Sequence, residues 1–251
     1  ANVPALMPYR LELDSDDGAV AQSWTLIPGK YTVGRLDCTV TITNDNSISR
    51  VHADIVVKPL SRADLSNPLR PAHVLVRDRS KFGTWVDGAR VDKALPDGVQ
   101  ISAGQPRSRL QFGCKNPPAT ATLALEPIVL CYATCCTAGI AGSLSEADLD
   151  DAAKAGIHVT RSWSGACTHM LVSDLDAAGA ADDVPLATKA AFVTSGKPAV
   201  SRRYFQAVCA RRDPAAAMPD PAVFSPGPSG VSSVTAQLSP EELAGRRSLL
   251  N

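Results

Sequence analysis

The chain has 251 residues, 45% of them hydrophobic and 20% charged, with 25 Lys+Arg against 25 Asp+Glu. At about 150 residues per domain this is room for one large or two modest domains with real cores, and it excludes a disordered or fibrous chain. The zero net charge argues against a broad basic surface for nucleic acid or an anionic membrane, and no apolar run approaches the roughly 18 residues of a membrane span.

Up to about Glu126 short alternating segments follow one another at regular spacing. Tyr31-Thr32-Val33, Val40 with Ile42, Val51 with Ala53 and Ile55, and Val74 with Val76 read as strands. Thr84-Trp85-Val86, Val99-Gln100-Ile101, Leu110-Gln111-Phe112 and Leu123-Ala124-Leu125 continue the series. Asp87-Gly88 is a hairpin signal, because both residues tolerate the positive φ of a tight turn. The expectation is an all-β sandwich over 1–126, with its core at about 20–125 and functional loops at one end. The stretch from Lys58 to Pro71 reads as an irregular, mobile insertion.

After Pro127 the period changes. Ile128-Val129-Leu130 suits a strand buried on both faces. Ser143-Leu144-Ser145-Glu146 reads as a capping box, with Ser143 as the cap of a helix that ends near Gly156. His158-Val159-Thr160 and His169-Met170-Leu171-Val172 are strands. Pro185 opens a helix that places Leu186, Ala190 and Val193 on one face and closes at Gly196. Ala199-Val200 is a strand, and Ser201 caps a last helix carrying Tyr204, Phe205 and Val208. Arg211 and Arg212 belong to the solvated end of that helix, where positive charge suits the dipole. The order β-α-β-β-α-β-α defines a compact α/β unit over 127–214. The Pro-, Ser- and Gly-rich stretch 215–251 reads as a linker.

The two halves carry little net charge: 15 Lys+Arg against 13 Asp+Glu over 1–126, and 10 against 12 over 127–251. Seven cysteines, an odd number in a chain too long to need staples, point to reduced, buried thiols. Cys131, Cys135 and Cys136 cluster, but His158 and His169 are too distant for a zinc spacing. No metal site, cofactor or catalytic residue is expected. There is no Gly-Lys-Ser/Thr phosphate loop, Gly-x-Ser-x-Gly elbow or His-Glu-x-x-His pair in the chain.

A zero sum is compatible with a small, concentrated cationic site. Gly34-Arg35, Ser49-Arg50-Val51-His52, Ser80-Lys81-Phe82-Gly83-Thr84 and Asp87-Gly88 each fall at a strand end. Arg35 projects from the rim, Ser49 supplies a hydroxyl and an amide, and Lys81 adds a further cation. A phosphate monoester, with nearly two negative charges, is held by this mixture. His52, three residues after Ser49, faces inward and can brace the loop.

These pieces resemble the signature of the forkhead-associated (FHA) domain, a β-sandwich that binds phosphothreonine peptides through its end loops. The resemblance covers about residues 20–125. It implies that Arg35 and Ser49 hold the phosphate, that Arg50 and Lys81 frame it, and that Gly34, His52, Gly83, Thr84, Asp87 and Gly88 shape the site. Where that family usually has Asn this sequence has Phe82 and Asp87, which leaves both positions without a side-chain amide to clamp the peptide backbone.

The second half resembles a BRCT domain, an α/β unit with a parallel four-stranded sheet flanked by helices. Thr168-His169-Met170-Leu171-Val172 matches its third strand and Gly196-Lys197-Pro198-Ala199-Val200 its fourth; Tyr204-Phe205 stands where many members have Trp. The resemblance implies a possible phosphate pocket at Thr134 and Lys189. An FHA domain running directly into a BRCT domain is similar to the adaptor family of the nuclease–ATPase complex that handles DNA double-strand breaks. That likeness implies a nuclear, non-catalytic adaptor that recruits threonine-phosphorylated proteins of the DNA-damage response. In that family a second BRCT follows, and 215–251 resembles the linker entering it, cut short. The nuclease–ATPase complex would bind through regions beyond this chain. The competing reading is the targeting module of a larger repair enzyme whose catalytic region lies beyond this chain.

Overall fold

The computed structural model describes residues 9–15, 19–70, 72–101, 106–115, 117–125, 128–132, 144–172 and 186–225. They fall into two compact units. The first gathers residues 1–128, 151–158 and 211–218, and the second gathers 129–150, 159–210 and 219–251.

The first unit contains β1 (Tyr9–Asp14), β2 (Val20–Thr25), β3 (Gly29–Gly34), β4 (Val40–Thr41), β5 (Ala53–Val57), β6 (Val74–Asp78), β7 (Thr84–Val86), β8 (Ala89–Arg90), β9 (Val99–Gln100), β10 (Arg107–Phe112) and β11 (Ala119–Leu125). One sheet has the order β2-β1-β11-β10-β7-β8 and the other β4-β3-β5-β6-β9. Alternation explains the layering. Tyr9, Leu11 and Leu13 in β1 and Ser108, Leu110 and Phe112 in β10 are buried, while their neighbours in sequence are less so. The second sheet answers with Tyr31, Val33, Ala53, Ile55, Val57, Val74 and Val76. Side chains of this size on two inner faces make the core of a β-sandwich.

Register places the strand ends. Val33 pairs with Ala53, and Ala53 with Asp78; Phe112 pairs with both Thr84 and Ala119. The loops after β3, before β5, between β6 and β7, and between β10 and β11 are therefore brought to one end of the sandwich.

Three features differ from the sequence reading. β1 and β2 lie ahead of the first strand it named, although Tyr9, Leu11 and Leu13 alternate cleanly. The stretch from Lys58 toward Pro71, read as a mobile insertion, forms turns that bury Leu60 and Leu65, and Ser61 Oγ donates to Asp64 Oδ2 at 2.6 Å. Arg211, expected on a solvated helix end, is only 7% exposed. Its guanidinium donates to the carbonyls of Thr25 (2.8 Å), Pro214 (2.9 Å) and Ala216 (2.6 Å), and Thr25 N–H donates to Pro214 O at 2.9 Å. Those acceptors are backbone atoms, which leave no mark in the residue types.

The second unit is built on a sheet of order β13-β12-β14-β15, from β12 (Val129–Cys131), β13 (His158–Thr160), β14 (His169–Val172) and β15 (Ala199–Ser201), with α1 (Glu146–Ala155), α2 (Leu186–Ser195) and α3 (Arg202–Ala210). β12 and β14 pair in parallel, as do β14 and β15. All three residues of β12 are buried, as a strand covered on both faces requires. The α1 cap is Ser145 rather than Ser143, which lies outside the described residues. Asp148 N–H donates to Ser145 Oγ at 3.2 Å, and Ser145 N–H to Asp148 Oδ2 at 2.8 Å. The overlapping patterns Ser143-x-x-Glu146 and Ser145-x-x-Asp148 could each form a capping box, and the second, two residues later, does. Tyr204, Phe205 and Val208 are the buried face of α3. Phe192 of α2 meets Trp163 edge-on at 5.2 Å, so the partly buried Trp163 packs against the core.

Among the described cysteines, Cys131 and Cys167 are buried, Cys38 and Cys209 are intermediate, and Cys114 is exposed, so the expectation of buried thiols holds for only part of the set.

Candidate functional site

The loop after β3 begins at Gly34, whose absent side chain is a steric requirement. A Cβ there would stand 2.2 Å from Arg50 O and 2.8 Å from Cys38 Sγ. This close approach lets two loops lie side by side: Arg35 N–H donates to Ser49 O at 3.0 Å and Leu36 N–H to Arg50 O at 3.2 Å. With their backbones tied to each other, Arg35 and Arg50 send exposed side chains outward.

His52 sits behind them, fully buried. Its Nδ1 accepts the Ser49 N–H at 3.1 Å, so Nε2 carries the hydrogen and donates it to Gly83 O at 2.8 Å. Only the neutral Nε2–H tautomer can make both bonds. Burial lowers the His52 pKa below its ordinary value, more than the Gly83 carbonyl and the carboxylates of Asp78 and Asp45 raise it. One ring thus joins the loop before β5 to the loop before β7.

The loop before β7 returns to the same place. Lys81 N–H donates to Ser49 Oγ at 3.1 Å. The half-buried serine oxygen is thereby used as an acceptor, which leaves its hydroxyl hydrogen to donate outward. The Lys81 side chain is exposed, its ammonium 5.4 Å from the Phe82 ring centroid. Phe82, one of the two positions lacking an amide, is 41% exposed. Among the described residues, Arg35, Arg50 and Lys81 form no ion pair with a carboxylate. Three cations, a hydroxyl and loop amides are thus available at the tips of adjacent loops.

Supports that the sequence reading did not name lie underneath. Asp78 Oδ1 accepts from Ser80 N–H (2.9 Å) and from the buried Thr84 hydroxyl (3.0 Å), and Ser80 Oγ accepts from Gly83 N–H at 2.6 Å. Asp78-x-Ser80 is a local signal for such a turn, since Asp readily accepts from the amide two residues on. Ser47 Oγ accepts from Cys114 N–H at 2.9 Å, and Gly113 N–H donates to Gly83 O at 3.2 Å.

The structure thus brings Gly34, Arg35, Ser49, Arg50, His52, Lys81 and Gly83 together, with Thr84 just behind. Asp87 and Gly88 are elsewhere. They form the β7–β8 turn, with φ of 50° and 82°. Asp87 Oδ1 accepts from Arg109 N–H at 2.7 Å, and Asp87 N–H donates to Arg109 O at 2.8 Å. They shape a hairpin at the far end of β7 and not the loop cluster. Of the possible second pocket, Thr134 lies outside the described residues. Lys189 lies within α2, and its side chain is likewise outside the description.

A sandwich with these loops, followed by an α/β unit on a largely parallel sheet, is the architecture of an FHA sandwich followed by a BRCT unit. Residues 31–104 match the family described as the FHA domain. The chain is 36% identical over 158 residues to the Nibrin homolog of Oryza sativa subsp. japonica, a match covering 58% of this chain and 26% of that protein. It is 31% identical over 156 residues to Nibrin of Danio rerio, covering 60% and 16%. Its fold is that of the S. pombe Nbs1 FHA/BRCT-repeat domain, with a TM-score of 0.61, 23% identity and coverage of 86% of this chain and 64% of that one. S. pombe Nbs1 in its complex with Ctp1 gives a TM-score of 0.62 at 19% identity, covering 92% and 65%. The chain therefore carries a nibrin-like FHA–BRCT region. It spans about a quarter of the length of the rice relatives it matches.

Proposed function

We propose that this chain is a non-catalytic, phosphopeptide-binding adaptor of DNA double-strand-break repair and checkpoint signalling. The FHA domain occupies 1–126 and the BRCT domain 127–214. The observation that carries the reading is the meeting of Arg35, Ser49, Arg50 and Lys81 on loops tied together through His52 and Ser49. Arg35 and Ser49 hold the phosphate: the guanidinium supplies charge-assisted donors, and the serine oxygen, already accepting from Lys81 N–H, directs its hydrogen at a phosphate oxygen. Arg50 and Lys81 frame the same group and steer a dianionic ligand toward it. The nibrin-like relatives support the repair context, nuclear residence and recruitment of threonine-phosphorylated partners. They also support attachment, through other regions of a longer protein, to the repair nuclease–ATPase complex.

Titrating threonine-phosphorylated and unphosphorylated versions of one peptide into the full chain tests the reading. The phosphorylated form should bind and the unphosphorylated form should not; equal affinities overturn it. Arg35→Ala should weaken phosphopeptide binding by at least about tenfold, since a hydrogen bond to a charged group is worth roughly 1.5–3 kcal/mol.

A further inference from the structure

The loop between β6 and β7 has a support that comes from outside it. Lys93, beyond the β7–β8 hairpin, extends its ammonium to the carbonyl oxygen of Ser80 and hydrogen-bonds it. The same nitrogen lies 3.9 Å from Asp78 Oδ2. That oxygen is buried and accepts no hydrogen bond from the described residues, while Oδ1 is occupied by Ser80 N–H and the Thr84 hydroxyl. A buried carboxylate needs a nearby cation, and Lys93 supplies it while holding the peptide unit that leads directly into Lys81.

From this geometry we infer that Lys93 is a positioning residue for phosphopeptide binding. The inference rests on the phosphopeptide reading of the Arg35, Ser49 and Lys81 cluster, and it assigns Lys93 no contact with the ligand. The chain of contacts is short. Lys93 and Asp78 fix both polar groups of the Ser80 backbone, Ser80 Oγ fixes Gly83 N–H, and His52 fixes Gly83 O. Lys81 and Phe82 are the two residues left between these anchors. Their freedom is limited to the one bond that Lys81 N–H makes to Ser49 Oγ. Removing Lys93 releases the entry to that arch and leaves Asp78 without its counter-ion. The Lys81 amide then spends less time on Ser49, and the serine hydroxyl loses the constraint that aims it.

The test is a comparison of Lys93→Met, Lys93→Arg and Lys81→Met in the full chain. Lys93 is about half exposed, at 47% of its side-chain surface, so the Met variant should fold. Lys93→Met should weaken the phosphothreonine peptide by about tenfold, the size of one lost charge-assisted bond. It should also speed hydrogen exchange at the Gly83 amide. Lys93→Arg, which keeps the charge and the donor, should restore both. The salt dependence separates positioning from contact. Lys81→Met should flatten the fall of affinity with salt, because a cation near the phosphate is gone, whereas Lys93→Met should leave that slope as in the wild type. Wild-type affinity and Gly83 exchange in Lys93→Met, alongside clear phosphate dependence in the wild type, overturn the role of Lys93 alone. A wild-type chain that binds both peptide forms equally overturns the phosphopeptide reading and this inference with it.

Discussion

Two buried histidines, one in each unit, show how differently the units spend their polar groups. His52 bonds only to backbone atoms, and those atoms belong to two loops, Ser49 N–H and Gly83 O. His169 bonds to side chains within the α/β core. Its Nδ1 is 2.8 Å from the Thr168 hydroxyl, and its Nε2 is 3.3 Å from the Tyr204 hydroxyl, whose ring lies 5.0 Å away. The first histidine holds together loops that have no sheet to hold them, and the second ties β14 to α3. A loop end made of irregular chain needs its order supplied by side chains reaching across to backbone, whereas a sheet-and-helix core has that order already.

The largest expected effect separates these two employments. His169→Ala removes a buried ring and takes the His169 partner from the Tyr204 hydroxyl and one of three bonds from the Thr168 hydroxyl, which should cost about 3–4 kcal/mol of stability by cavity and desolvation together. It should leave phosphothreonine-peptide affinity unchanged. His52→Ala should cost about 2–4 kcal/mol, because it empties a buried ring site, strands Ser49 N–H and leaves Gly83 O with only the Gly113 N–H, and should also weaken the peptide by about tenfold. Denaturant unfolding and calorimetric titration on both variants check this. If His52→Ala loses stability with full affinity retained, the comparison fails, because the ring would then be only another core residue.

Acid offers the next test. Burial depresses the pKa of both rings, His169 from 6.5 to about 4 with help from Lys197, and His52 in the same direction. The folded protein keeps these rings neutral, while the unfolded chain takes up a proton near pH 6.5. Their contribution is therefore complete above pH 6.5 and is lost as the pH falls toward the folded value. For His169 the window runs from 6.5 to about 4. Across it, each such histidine steepens the fall of stability by up to about 1.4 kcal/mol per pH unit. His169→Gln, which cannot take up that proton, should flatten the curve within the window; an unaltered slope would mean that the ring is already charged in the folded state. Phosphopeptide affinity should also drop in acid as His52 is protonated, because Nδ1 can then no longer accept from Ser49.

The sequence discloses the outer surface of the candidate site better than its foundations. Gly34-Arg35 and Ser49-x-x-His52 are legible because steric need and charge are written in residue type: no other residue fits against Arg50 O, and no apolar side chain substitutes for a guanidinium. Asp78, Ser80 and Lys93 are harder to read. Lys93 serves a carbonyl 13 residues earlier, through a hairpin whose path must be known before the contact can be drawn. Arg211 is similar, since its three acceptors are carbonyls of Thr25, Pro214 and Ala216 that any residue could have supplied. The FHA resemblance groups Asp87 with the site and its turn signal is genuine, but β7 carries that turn away from the loops. β1 is the opposite case: the alternation of Tyr9, Leu11 and Leu13 is visible in the sequence and matches the buried face of the strand.

The smallest effect concerns a single oxygen in each unit. Thr168 Oγ1 accepts from Val129 N–H and donates to Val129 O, both at 3.0 Å, within the parallel sheet. Ser49 Oγ accepts from Lys81 N–H at the loop tips. Thr168→Val should cost about 1–2 kcal/mol, because Val129 N–H and His169 Nδ1 each lose a bond to the hydroxyl while Val129 O keeps the Thr168 N–H, with no change in binding. Ser49→Ala should cost no more than about 1 kcal/mol, because water can reach the freed Lys81 amide. Its effect on binding should be disproportionate: the bond to Lys81 uses only a lone pair, while the hydroxyl hydrogen is the part that meets the phosphate in the proposed function. A loss of affinity confined to the phosphorylated peptide, larger than the loss of stability, would show that the oxygen works in both directions at once. A phosphopeptide affinity unchanged by Ser49→Ala would reduce Ser49 to a loop brace of the same kind as Thr168 and leave the phosphate to the cations.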